Sequence, residues 1–101
     1  MKLTRLKGIA HDLASNLDFE IWHGQFKDVP KRLKVKVLHN RSKLESYCFQ
    51  FFQKRIPPTF DFKRVKAIEV DIYRSMTTTN IRIKVKVDDK EFSSGSLSLQ
   101  S

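Results

Sequence analysis

The sequence predicts an α+β domain: two helices packed on one face of a mostly antiparallel sheet, two layers thick, in the order α-β-β-α-β-β-β. Three patterns lead to that class. Apolar residues recur at helical spacing in two stretches, one near the N-terminus and one over residues 44–52. Branched apolar residues alternate with charged ones over residues 33–37, 68–73 and 81–87, the period of a half-buried strand. Turn residues stand between these stretches, and no long linker interrupts them. A chain of 101 residues is one domain on length, 1–101, with 93–101 either a frayed tail or an edge strand.

The elements follow in order. Leu3, Leu6, Ala10, Leu13, Ala14 and Leu17 make one apolar stripe, so a first helix is predicted over about residues 2–17. Phe19, Ile21 and His23 alternate with Glu20, Trp22 and Gly24, which reads as a strand or as a packed loop. Asp28-Val29-Pro30 is a turn, and Leu33 to about His39 is a strand. Ser42-Lys43-Leu44-Glu45 has the form of a capping box, in which a serine hydroxyl takes an orphan N–H of the first turn. Leu44, Tyr47, Cys48, Phe51 and Phe52 then form the stripe of a second helix, stopped by Pro57-Pro58. Ile68–Tyr73 and Ile81–Val87 pair as a hairpin. With Thr77-Thr78 as its two-residue turn, Ile72 faces Ile83, Asp71 faces Lys84 and Glu69 faces Lys86. That turn lacks glycine, so a four-residue loop of the same parity competes with it. Asp88-Asp89-Lys90 is a further turn, and Phe92, Leu97 and Leu99 form a last strand or a tail.

Charge is unevenly placed. The net charge is +9. Residues 31–66 hold eleven cations and two acids, which accounts for the whole excess; the remainder is neutral. Such a segment concentrates anionic partners and does so less well in salt. Within it, "RLKVKV" (Arg32–Val37) nearly repeats "RIKVKV" (Arg82–Val87). The second copy faces Glu69 and Asp71 in the hairpin and is expected to be neutralised. The first has no acid nearby in sequence, so Lys34 and Lys36 are the better ligand candidates. A lysine-rich edge strand that blocks aggregation has the same pattern.

"HNRSK" (His39–Lys43) places Arg41, Ser42 and Lys43 at a helix start, where the backbone already carries partial positive charge. A bound phosphate relieves that conflict. The candidate anion or nucleic-acid residues are therefore Lys34, Lys36, Arg41, Ser42, Lys43, Lys63, Arg64 and Lys66. Phe60 and Phe62, beside cations, read as core residues before base-stacking platforms. Trp22, Phe49 and Ile56 are candidates for a partner interface.

Catalysis is not expected. His11, His23 and His39 share no metal-ligand spacing, the single Cys48 lies on a buried stripe, and three glycines make no phosphate-cradling loop. No metal or cofactor is expected, no apolar run spans a membrane, and a soluble, cytoplasmic protein is the default. The resulting expectation is a non-enzymatic module that binds RNA or DNA through phosphates, without reading sequence. The alternative is a homodimer or a module for an acidic protein partner, with no nucleic-acid role.

Overall fold

A computed structural model describes residues 3–37 and 42–94, and the backbone of residues 97–100. Helix α1 spans Thr4–His23, strand β1 Arg32–Lys36 and helix α2 Lys43–Arg55. A single 3-10 turn, Phe62–Arg64, leads into β2 (Val65–Arg74), β3 (Thr78–Val87), β4 (Lys90–Ser93) and β5 (Leu97–Gln100). The expected class is present: two helices against one face of an antiparallel sheet.

The chain departs from the expected elements before β1. Helix α1 continues through His23, so one strand, not two, precedes α2. Its buried stripe is Leu6, Ile9, Ala10, Leu13, Ala14, Leu17 and Ile21. The i+4 step from Leu17 to Ile21 outweighs the three-residue alternation of Phe19, Ile21 and His23, which is too short to set a period. Phe19 consequently turns to solvent, 59% exposed. The helix stops where Glu20 folds over its last turn. The Glu20 carboxylate accepts the N–H of Gln25 at 3.0 Å, and its carbonyl accepts that of Phe26 at 2.9 Å. A side chain at Gly24 would place its Cβ 2.2 Å from that carboxylate, so a larger residue there displaces the Glu20 side chain from the Gln25 N–H.

Strand order is β1-β2-β3-β4, and β5 also pairs with β3. Strands β4 and β5 thus divide one edge of β3: β4 against Lys84–Val87 and β5 against Thr78–Ile81. Every pairing is antiparallel. The last strand expected from Phe92, Leu97 and Leu99 is two short strands, with Gly95 and Ser96 between them outside the described residues.

The β2–β3 register carries the expected parity but is shifted by two residues. Ile72 faces Ile81, Val70 faces Ile83 and Ile68 faces Val85. The connection is the four-residue loop Ser75–Thr78, closed by the Arg74–Thr79 pair. Thr-Thr offers no residue suited to positive φ, as a two-residue hairpin turn requires. Ser75 supplies the alternative. Its N–H donates to the Thr78 carbonyl at 2.9 Å, and its hydroxyl accepts the Thr78 N–H at 3.1 Å.

Ile68, Val70, Ile72, Ile81, Ile83, Val85 and Val87 are all at most 1% exposed and form the inner face under the helices. Phe52 of α2 and Leu13 and Leu17 of α1 close the same core, each fully buried. A bulge at Lys66 resets β2, so that Val65 also points inward. The buried Thr79 hydroxyl donates to the Asp18 carboxylate and ties β3 to α1.

Candidate polyanion-binding surface

Because both helices lie on one side, the opposite face of the sheet carries no helix among the described residues. Side chains alternate across a strand, so the residues between the core positions line that face. On β1 they are Arg32, Lys34 and Lys36; on β2, Glu69, Asp71 and Tyr73; on β3, Arg82, Lys84 and Lys86; on β4, Glu91.

This placement revises the reading of the two hexamers. Strand β2 lies between them, and both use the same two acids. Lys34 is opposite Asp71 and Lys36 opposite Glu69 on one side. Arg82 is opposite Asp71 and Lys84 opposite Glu69 on the other. The first hexamer is therefore not free of carboxylates, because β1 is paired with β2 rather than with a neighbour in sequence. Nor is the second fully neutralised, since it shares its acids. Lys86 instead faces Glu91. Six cations and three acids leave the face with a net charge of +3.

The face is thus a central acidic column between two basic ones. Neighbouring columns stand about 4.8 Å apart, which separates the basic columns by roughly 10 Å, and successive cations within one are about 6.7 Å apart. Among the described side chains, Arg64–Asp88 is the salt bridge formed within 4.0 Å. The cross-strand charges of the face are neighbours without that contact, with Lys34, Lys36, Asp71, Arg82 and Lys86 exposed and Glu69 and Lys84 partly buried. Tyr73, 41% exposed, is the aromatic of this surface, and the Arg32 guanidinium lies 5.1 Å from its ring centre.

The other candidate residues are dispersed. Arg41 and His39 lie outside the described residues. Ser42 caps α2: its hydroxyl accepts the Glu45 N–H at 3.1 Å and is occupied by the helix itself. Lys43 is the exposed first residue of α2. Arg64 carries its own counter-ion, donating to the Asp88 carboxylate through Nε at 3.0 Å and a terminal nitrogen at 2.9 Å. Asp88 adopts φ of 53° in the β3–β4 turn, a left-handed conformation that aspartate tolerates well, and this turn holds it beside Arg64. The Lys66 ammonium donates to the Lys63 carbonyl at 3.2 Å. The 3-10 turn bearing Lys63 and Arg64 docks on the middle of α2 through Phe62 and Phe49, 5.2 Å apart and edge to face. Phe49 lies six residues from Lys43, about 9 Å along the helix axis. The second basic group consequently gathers beside the middle of α2 and not at its opening turn.

Phe49 and Ile56 form no exposed patch. Phe49 is half-buried against Phe62, and Ile56 is buried at the end of α2. After the proline pair the chain returns to α2 at Phe62, which packs on Phe49. Trp22 is half-buried beneath the Arg74 guanidinium, 4.9 Å from the ring, and its indole N–H has no acceptor among the described residues. Phe60 and Phe62 pack against the core. Among the described residues, the exposed large apolar side chains are Phe19, Tyr73 and Met76.

Cys48 is fully buried, and burial, with the Glu45 charge second, pushes its thiol up to about 12. A thiol so placed is not a nucleophile at neutral pH. Among the described residues, no three of His, Cys, Asp or Glu converge as metal ligands, and no helix is long and apolar enough to cross a membrane. No known family, curated protein or solved structure matches this chain.

Sequence reasoning missed Arg32, Tyr73, Arg82, Lys84 and Lys86 as members of one surface. The signal was present: both hexamers place their cations on the parity opposite the core. The missing step was that β2 sits between them.

Proposed function

We propose that this protein is a non-enzymatic, cytoplasmic module that binds the phosphate backbone of RNA or DNA on the open face of its sheet. The observation that carries the proposal is the pair of basic columns flanking one acidic column, with excess positive charge. Lysine and arginine side chains reach beyond the shorter acids of β2, so a strand laid across the sheet meets cations first. Tyr73 with Arg32 adds a ring on which a base can stack, worth about 1–3 kcal/mol in single-strand binders. Binding of this kind is set by phosphate contacts and not by sequence.

The test is a salt titration with a mixed-sequence oligonucleotide. If about five phosphates are neutralised, log affinity falls against log salt with a slope near 3.5 for a single strand and 4.5 for a duplex. Replacing Lys34, Lys36, Lys84 and Lys86 by glutamine removes most of that slope while the helical signal is retained. A flat salt response, or no binding at low salt, overturns the proposal.

A further inference from the structure

Among the described residues, strand β1 is the outer strand on its side of the sheet and pairs with β2 alone. The direction of its backbone groups is fixed by two hydrogen bonds at its ends. The Arg74 N–H donates to the Lys31 carbonyl at 2.7 Å and the Val37 N–H to the Ile68 carbonyl at 3.0 Å. In an antiparallel pair, hydrogen-bonded residues alternate along the strand. Lys31, Leu33, Val35 and Val37 therefore turn their N–H and C=O groups toward β2, and Arg32, Lys34 and Lys36 turn theirs outward.

Below this edge lies a mainly apolar groove of about 350 Å³, whose lining includes Leu33 and Val35 of β1, Phe26 and Val29 of the preceding loop and Leu44 of α2, with the carboxylates Asp28 and Glu45 also along it. Leu33 and Val35 are only half-buried, unlike the inner residues of β2 and β3, and no further strand lies beside them among the described residues. A strand added here places alternate side chains in the groove and the others beside Arg32, Lys34 and Lys36.

The charge of the edge decides which strand fits. A second copy of β1 would set three cations against three cations, which opposes self-pairing. The partner that β1 already has, β2, shows the favourable pattern: Ile68, Val70 and Ile72 inward, Glu69 and Asp71 toward the lysines. We propose that the outer edge of β1 and its groove take up an extended segment of another protein in which branched apolar residues alternate with acidic ones. Backbone hydrogen bonds supply affinity, and the alternating contacts supply selectivity. The outward backbone groups of this edge and its groove are distinct from the face to which nucleic acid is assigned above, and the side chains of Arg32, Lys34 and Lys36 border both.

The probe is a capped eight-residue peptide alternating valine or isoleucine with glutamate. Its controls have the same composition in two blocks, and lysine in place of glutamate. The alternating acidic peptide is expected to bind, and to slow hydrogen exchange at the amides of Arg32, Lys34 and Lys36 while leaving Leu33 and Val35, already bonded to β2, unchanged. Each cross-strand charge pair is worth about 1.4- to 5-fold in affinity, so Lys34→Gln with Lys36→Gln weakens binding about 2- to 25-fold. Lys34→Pro removes one outward N–H and costs about 2- to 12-fold; the exchange pattern of the unaltered protein decides the matter if that variant does not fold. The proposal is overturned by equal binding of the block or lysine peptide, by protection at other amides, or by no binding at millimolar peptide. It is also overturned by a dimer in sedimentation that protects the same three amides without peptide. An oligonucleotide that binds the face without this alternating protection leaves the two assignments separable.

Discussion

Neutralising the two acids at the centre of the sheet, Glu69→Gln with Asp71→Asn, is predicted to tighten polyanion binding and to weaken the fold. Each acid stands between two cations, Glu69 between Lys36 and Lys84, and Asp71 between Lys34 and Arg82. A phosphate held by either basic column lies roughly 8 Å from the nearest acid, given a strand spacing of about 4.8 Å and the reach of a lysine. Two unit charges at that distance in water repel by about 0.5 kcal/mol, reduced to roughly 0.2 kcal/mol at 0.15 M salt. With two phosphates near each acid, the double variant gains about 0.8 kcal/mol, a fourfold rise in affinity. At 0.01 M salt the screening is slight and the gain is roughly 15-fold. Stability moves the other way. Four cross-strand attractions are lost, each near the low end of the usual range, about 0.2 kcal/mol, because their charged ends are not in contact. The variant should therefore lose about 0.8 kcal/mol in urea denaturation. Fluorescence anisotropy with a labelled oligonucleotide reads the affinity. An affinity that is unchanged or reduced while stability falls as expected would refute the placement of phosphates over this face.

Three other outcomes follow from the packing. Phe52→Ala removes a fully buried ring from the junction of helices and sheet and should cost about 3–5 kcal/mol in chemical denaturation, a large share of a small domain's stability. Ser42→Ala leaves the Glu45 N–H without its cap and should cost about 1 kcal/mol, read in the same assay, with little change in fold. Cys48 should resist alkylation in the native protein at pH 8 and react fully in denaturant, as checked by mass spectrometry. Its thiol is raised from 9.0 to about 12 on folding, so the unfolded chain ionises first. Stability from this group is complete below pH 9 and is lost as pH rises toward 12. Burial, ahead of the nearby charges, raises the Tyr47 hydroxyl as well, which steepens the same alkaline loss.

The fold class was legible because the strongest patterns were also the core. The stripe of α2, its serine cap and its proline stop define that helix from sequence alone. The alternation of β2 and β3 fixed which residues turn inward, since an odd shift would expose every isoleucine and valine. Even shifts preserve that burial, so the register itself rested on the turn. There Ser75, two residues before the Thr-Thr pair, organises a longer loop that residue type did not announce. Helix α1 ran six residues past its expected end, because three alternating residues imitate a strand while Leu17 and Ile21 continue the helix stripe. The site was less legible for a different reason. Charge composition located the cations, but their counter-ions come from strand pairing distant in sequence. Asp71 reaches Lys34 through β1–β2 pairing, and Asp88 reaches Arg64 through a turn twenty-four residues away. The bare face emerges only when both hexamers are set on either side of β2.

Side-chain resonances of lysine, arginine and tyrosine give the most direct view of that face. Titrating isotope-labelled protein with a single-stranded oligonucleotide at low salt should shift the signals of Lys34, Lys36, Arg82, Lys84 and Tyr73 together, with the backbone amides of Ser42 and Lys43 little changed. Shifts confined to the helical side, or a sheet face that stays silent while the oligonucleotide binds, would contradict it.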